Sequence, residues 1–273
     1  MATTPRLRTP REVDYPTSDG KPMGETDLHR QDMFDVINVL MRHFRADPNI
    51  YVSGNLLLFY EEGNRRKHIS PDVFVVKGVP KNPPRDYYLL WREGKSPDVV
   101  IEITSKTTRR EDQKKKWVLY RDVLKVPEYF QFDPTEDYLK PSLQGHRLLN
   151  GEYLPVAMVA GRMPSEILGL HLERDGHELR LFDPETGRRL LTDTENLDAA
   201  HLFAEEQRRL TEEATRCANE ERLHAQQAEL RAQHAAEDAE KARQRALAFE
   251  AELQRLLLEN ERLRREVEEH RGG

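Results

Sequence analysis

Asp72 and Glu102 each lie in a short apolar run of the kind that forms a strand, Ser70-Pro-Asp-Val-Phe-Val-Val76 and Pro97-Asp-Val-Val-Ile-Glu-Ile-Thr-Ser-Lys106. Two carboxylates on neighbouring strands offer hard oxygen ligands to a divalent cation such as Mg²⁺ or Mn²⁺. Phosphodiester hydrolysis needs a water placed in line with the leaving oxygen and neutralisation of the charge that builds on the phosphate. A metal between two acids does both, and a lysine close behind adds positive charge. Strand alternation puts Glu102, Thr104 and Lys106 on one face, with Ile101, Ile103 and Ser105 on the other. The Ile103 carbonyl is a further candidate ligand. Each acid alone also has a plainer reading. Asp72 follows a proline and can cap a turn, and Glu102 can pair with Lys106 or Lys116, because a buried carboxylate is costly unless paired or metal-bound.

The elements that must position these acids can be read from the chain. Residues 1–24, rich in Pro, Thr and Gly, predict an extended arm. Leu28, Met33, Val36, Ile37, Leu40 and Phe44 recur at three- and four-residue steps and predict a helix that Asp47-Pro48 ends. Residues 50–60 predict a strand broken by Gly54, and a turn at 62–64 leads to the strand carrying Asp72. The proline-containing stretch 77–96 is mostly loop, with an apolar Tyr87–Trp91 segment. After the Glu102 strand, a helix is expected from Arg109 to Leu124, placing Asp112, Lys116 and Tyr120 on one face. Tyr120 and Trp117 are expected to pack that helix onto the sheet. Glu128–Asp133 is another strand, and 144–192 reads as short strands with turns at Asn150-Gly151 and Asp183-Pro184. Strand, helix and strand in succession predict mixed α/β structure.

The character changes near residue 195. No proline follows Pro184, and Ala, Glu, Arg, Leu and Gln dominate, all good helix formers. One heptad register runs through 218–267, with a positions from Ala218 to Val267 and d positions from Glu221 to Leu263. Of these fifteen positions only Glu221 and Asn260 are polar, which predicts a coiled coil over 195–271. The lone Asn at an a position favours a two-stranded, in-register pair. Alanine buries little area, so the Leu253–Val267 end should hold the pair together.

The whole chain of 273 residues carries 43 Lys/Arg and 49 Asp/Glu; the tail from 195 holds 13 and 19 of them, which leaves 30 of each before it. The globular part therefore has no overall basic field, and binding of nucleic acid needs a local patch. Arg109, Arg110, Lys114–Lys116 and Arg121 are one candidate patch, and Arg65–His68 is another. No run reaches the ~18 apolar residues that suggest a membrane span. The N-terminus has no apolar signal-peptide core, and the single cysteine, Cys217, allows no internal disulfide. A cytoplasmic protein is the resulting expectation.

Glu102-Ile-Thr-Ser, then Asp112-x-x-x-Lys116-x-x-x-Tyr120, then Val126-Pro-Glu-Tyr-Phe-Gln-Phe-Asp-Pro134 resembles the Uma family of endonucleases, within the PD-(D/E)XK restriction-endonuclease-like superfamily. Tyr15–His29 and Ser70-Pro-Asp72 look like the same family, so the resemblance covers residues 13–190. It implies a central mixed sheet flanked by helices, with a metal-dependent nuclease site at one sheet edge. Position by position, Asp72 matches the superfamily aspartate and Glu102 the second acid. Glu25 matches an acid that joins the metal from the first helix. The lysine departs from the pattern, since Thr104 stands two residues after the acid. Lys116, reaching in from the following helix, is the expected replacement, and Lys106 is the second candidate. His29, one turn after Glu25, could touch substrate or lie on the surface.

Together these readings predict an extended arm over 1–24, a PD-(D/E)XK nuclease-like domain over 25–194 and a coiled coil over 195–271. The chain would be a Mg²⁺- or Mn²⁺-dependent endonuclease acting on nucleic acid, DNA in the first place. The coil would make it a homodimer and so bring two sites together. Two alternatives stand beside this reading. One is a decayed nuclease-fold module that binds nucleic acid or regulates a partner; the other is a scaffold in which the coil is the functional part.

Overall fold

The computed structural model describes residues 15–18, 26–104, 110–137 and 139–271, with the backbone alone at 110–113, 266 and 268–271. The expected arm over 1–24 therefore lies outside the described residues except for 15–18. The elements in chain order are helix α1 (Asp27–His43) and strands β1 (Ile50–Ser53), β2 (Leu58–Phe59), β3 (His68–Ile69), β4 (Val73–Lys77) and β5 (Tyr88–Leu89). The one-turn helix α2 (Leu90–Glu93), strand β6 (Val99–Ile103) and helix α3 (Arg110–Val118) follow, and a π-helical turn over Leu119–Val123 continues α3. Then come β7 (Glu128–Phe132), β8 (Leu143–Leu149), β9 (Glu152–Pro155), β10 (Met163–Ser165), β11 (Leu170–Asp175), β12 (Glu178–Asp183), β13 (Arg188–Arg189) and helix α4 (Asp193–Arg271). The chain divides into two units, Met1–Ala199 and Ala200–Gly273.

The first unit is built on a six-stranded sheet ordered β1-β4-β6-β7-β8-β9. Its β6–β7 neighbours run parallel and its other neighbours antiparallel. It is the mixed central sheet that the family resemblance implies. Alternation sorts its side chains cleanly. Val73, Val75, Val99, Ile101 and Ile103 point to the face covered by α1 and by β10–β12. Phe74, Val76 and Val100 point to the other face, where Tyr120, Leu124 and Tyr129 pack. Beside it stand a four-stranded sheet, β10-β11-β12-β13, and a small one, β3-β2-β5.

Helix α1 forms where the apolar periodicity predicts. The Thr26 hydroxyl accepts the His29 amide at 3.2 Å, a cap that contributes about 1 kcal/mol. Its buried stripe is His29, Asp32, Met33, Val36, Val39 and Leu40. That stripe is rotated slightly from the predicted one and takes in two polar residues.

Several expectations are corrected. Asp72 stands one residue before β4 rather than within it. The helix after β6 does not run as a regular α-helix to Leu124, because its last turn opens into the π-helical Leu119–Val123. Within the loop-like 77–96 stretch the apolar Tyr87–Trp91 segment does pack, as a short strand and a helical turn with Tyr88 and Leu89 buried. Tyr15, in the stretch predicted to be an extended arm, is buried against Phe59, Tyr87 and Trp91. Its hydroxyl accepts the Gly63 amide at 2.8 Å.

Helix α4 starts on a capping box: the Thr192 hydroxyl accepts the Glu195 amide at 3.3 Å, and the Glu195 carboxylate accepts the Thr192 amide at 2.7 Å. Within the first unit, Arg180 and Arg42 pair with Glu195 and Asp193 and hold this first turn. The second unit is the rest of α4, in which Leu253, Leu256, Leu263 and Val267 are each about half exposed in the single chain. Among the described residues no helix is long and apolar enough to cross a membrane.

Candidate active site

β4 and β6 pair antiparallel with Val73 opposite Ile101, so one further step sets Asp72 beside Glu102. There the ladder stops and a side chain takes over. The Ile103 amide, free of its neighbour β7 on that edge, donates to Asp72 Oδ2 at 2.7 Å. The Asp72 carboxylate thus stands in for a backbone acceptor of the sheet. Its position also depends on Gly54. A Cβ there would lie 2.0 Å from the Asp72 carbonyl oxygen and 2.6 Å from Ile37 Cδ1, so only a glycine lets the β1–β2 connection pass. Asn55 then donates its amide to the Pro71 carbonyl at 2.9 Å, pinning the turn from the same side.

Glu102 is 4% exposed on an entirely buried strand. Lys116 Nζ lies 2.7 Å from its Oε2, and the Tyr120 hydroxyl donates to Oε1 at 2.5 Å. Lys116 and Tyr120 are four residues apart, so one helical face supplies both. The π-helical turn begins between them, a feature frequent at functional sites. Burial, and then the Asp72 charge, push the Glu102 carboxyl up to about 8 against the pull of Lys116 and Tyr120. Asp72 goes the other way. Burial opposes its charge, but His29, Lys116 and the Ile103 amide together hold it below the usual carboxylate range. Burial and the Glu102 charge keep the Tyr120 hydroxyl protonated, so it serves as a donor.

The structure thus brings Asp72, Glu102 and Lys116 together. Glu25 and Lys106 lie outside the described residues, as do Arg109 and the side chains of Arg110 and Asp112. Thr104, in the place of the superfamily lysine, turns its hydroxyl to the Phe132 carbonyl at 3.2 Å. The candidate basic patch is partly spent, since Arg121 is held by Asp122 and Glu152.

One residue joins the site that sequence reasoning underrated, and a second buried acid lies behind it on the same helix. His29, which could have been a surface residue, is 4% exposed, and its Nε2 lies 3.7 Å from Asp72 Oδ1. Asp32, one turn further along α1, is 2% exposed, and burial pushes its carboxyl up to about 7 despite the Leu179 amide. The signal was present: His29 falls four residues before Met33 and Asp32 four before Val36, inside the stripe that faces the sheet.

Among the described residues no group of three or more His, Cys, Asp and Glu is placed to hold a metal ion. The chemistry of the pair nonetheless fits a hard cation. Two adjacent carboxylates, buried and raising each other's cost of ionisation, gain most from a divalent charge between them. Mg²⁺ is commonly held by one or two carboxylates, with waters and substrate phosphate completing its shell. A carboxylate accepting one hydrogen bond per oxygen keeps lone pairs for a metal.

A mixed sheet flanked by helices, with an acid pair at the end of adjoining strands and a lysine from the next helix, is a restriction-endonuclease-like fold. The profile of the Uma2 family, described as "Putative restriction endonuclease", matches residues 4–180, and the chain belongs to this family. Among solved structures, a chain described as a putative nuclease belonging to DUF820 from Anabaena variabilis ATCC 29413 is similar at 17% identity and a TM-score of 0.42. The match covers 56% of this chain and 80% of that one. No curated protein matches the chain.

Proposed function

We propose that the chain is a metal-dependent endonuclease that hydrolyses phosphodiester bonds of nucleic acid, with DNA the substrate that the family description favours. The observation that carries this reading is the buried Asp72–Glu102 pair with Lys116 2.7 Å from Glu102. Asp72 and Glu102 would hold Mg²⁺ or Mn²⁺, with Glu25 a third acid from the start of the first helix. When bound, the metal would polarise the phosphate and lower the pKa of its water. The protein's own groups do the rest. The Ile103 amide fixes Asp72, Tyr120 and Lys116 fix Glu102, and the Lys116 ammonium offsets negative charge as it builds on the phosphate.

The test is cleavage of duplex and single-stranded DNA and of RNA, with Mg²⁺ or Mn²⁺, by the wild type and by variants in the acid pair. Cleavage that survives loss of both acids sinks the site. Lys116→Ala is expected to slow turnover by about a hundredfold, the usual cost of one charge-stabilising group, and Lys106→Ala by much less. The reverse order, measured under single-turnover conditions, would transfer the role to Lys106.

One observation favours a second reading. Thr104 supplies no amine where the superfamily places one, and a decayed module would bind nucleic acid without cutting it. Binding by gel shift with no cleavage under any metal would select that reading.

The proposal divides the chain into an arm over 1–24, a nuclease domain over 25–194 and a coiled coil over 195–271 that makes a homodimer. The heptad stripe and its half-exposed leucines support the coil. A chain ending at residue 199 is expected to be monomeric by light scattering while the full chain is dimeric. A dimer that persists in the short chain would remove the coil's role.

A further inference from the structure

The order of residues in the apolar stripe of α4 bears on which way a second copy of this chain would run. Resting on the coiled-coil homodimer proposed above, we infer that two copies pair antiparallel, with Asn260 of one facing Glu221 of the other. In a parallel in-register pair each layer meets its own copy. Glu221 would then face Glu221, like charges in the seam. The consecutive alanine layers from 225 to 246 would close on themselves and bury little, while the large side chains crowded into one end.

Reversing one strand removes the first defect and halves the second. In an antiparallel coil an a position faces a d position. Setting Asn260 against Glu221 puts the two polar members of the stripe in one layer, where the amide can donate to the carboxylate. The same offset sets Leu253 against Ala228, Leu256 against Ala225 and Phe249 against Ala232. Large side chains meeting small ones across facing positions interdigitate, so the large residues are shared between both ends of the paired stretch instead of crowding one, while the central layers, Ala235 with Ala246 and Ala239 with Ala242, stay small and close. In the single chain these large residues are widely exposed, Leu253 at 49%, Leu256 at 54% and Phe249 at 72%.

The flanking charges agree without deciding the matter. The antiparallel offset brings Arg231 to Glu252 and Asp238 to Arg245, at the expense of one like-charged contact, Glu229 with Glu250. A parallel pair would also find partners, Asp238 with Arg243 and Arg245 with Glu250. The layers of the seam carry the choice. A polar pair is a register device: slipping by one heptad buries both Asn260 and Glu221 against apolar neighbours.

The test uses full-length chains with Cys217→Ser, to which either Ala235→Cys or Ala246→Cys is added. Residues 235 and 246 face each other in the antiparallel register, and both are alanines, so neither change removes a large side chain. Each cysteine lies about 16 Å along the axis from its own copy at 1.5 Å per residue. Under mild oxidation, the mixed chains are expected to cross-link as a heterodimer, and each variant alone is expected to stay uncross-linked. Self-cross-linking of each variant, with none in the mixed pair, would overturn the inference in favour of a parallel pair. A dimer by light scattering that gives no cross-link at all would overturn this register. A full-length chain that is monomeric by light scattering would instead overturn the dimer itself.

Discussion

Asp72→Asn is expected to cut Mg²⁺-dependent cleavage by about a thousandfold, at the upper end of what one charge-stabilising group supplies, while leaving the fold intact. The amide oxygen can still accept from the Ile103 amide, so the bond that closes the β4–β6 edge survives. What is lost is the charge that would hold the metal. Glu102→Gln should be as damaging to activity, and its effect on stability has a sign that the site dictates. A carboxyl raised from 4.5 to about 8 in the folded protein binds a proton that the unfolded chain has released. Between those values the metal-free protein therefore loses stability as pH rises. Asp32, raised to about 7, acts in the same direction. The fall in melting temperature from pH 5 to pH 8 should lessen in Glu102→Gln and lessen further when Asp32→Asn is added. An unchanged slope in the double variant would show that other groups carry the titration, and full activity in either acid variant would remove the metal site.

Gly54→Ala is expected to cost about 3 kcal/mol of stability or more, the upper range for overpacking a tight site, and to abolish cleavage with it. A methyl group there would sit 2.0 Å from the Asp72 carbonyl oxygen, a backbone atom that cannot turn aside as a side chain can. Either the β1–β2 connection lifts away or the Pro71–Asp72 backbone shifts, and the second response moves the carboxylate off the Ile103 amide. Chemical denaturation measures the first effect and metal-dependent cleavage the second. Near-normal values for both would show that the approach at Gly54 is looser than its geometry states.

How much of this could be read from the chain differs from residue to residue. The acids were legible because strand alternation is a local rule, whereas Lys116 was singled out by the family resemblance, helical spacing only setting it on one face with Tyr120; the structure brings the three together. His29 and Asp32 were less legible, because which way α1 rolls depends on β10–β12, distant in sequence, packing against it. Gly54 reads as a strand breaker, but its function is to let two stretches of backbone pass closely, which no local rule announces. Tyr15 looks like part of an arm until the β3-β2-β5 sheet provides a pocket for its ring. Glu128 shows the limit of the acid signal. It too is a carboxylate on an apolar strand, yet it is 1% exposed and satisfied by Arg147, the Ser165 hydroxyl and the Glu166 amide. Its sequence surroundings resemble those of Glu102; its donors make it a strut.

The bond from the Ile103 amide to Asp72 also bears on how such a site can be inherited. An acid that serves the metal alone could drift to almost any residue once cutting was no longer needed. Asp72 cannot, because a strand edge would lose its acceptor and bare a buried amide. A descendant that stopped cleaving would still be held to Asp or its amide at this position. Persistence of the aspartate across relatives would then testify to the sheet as much as to the reaction.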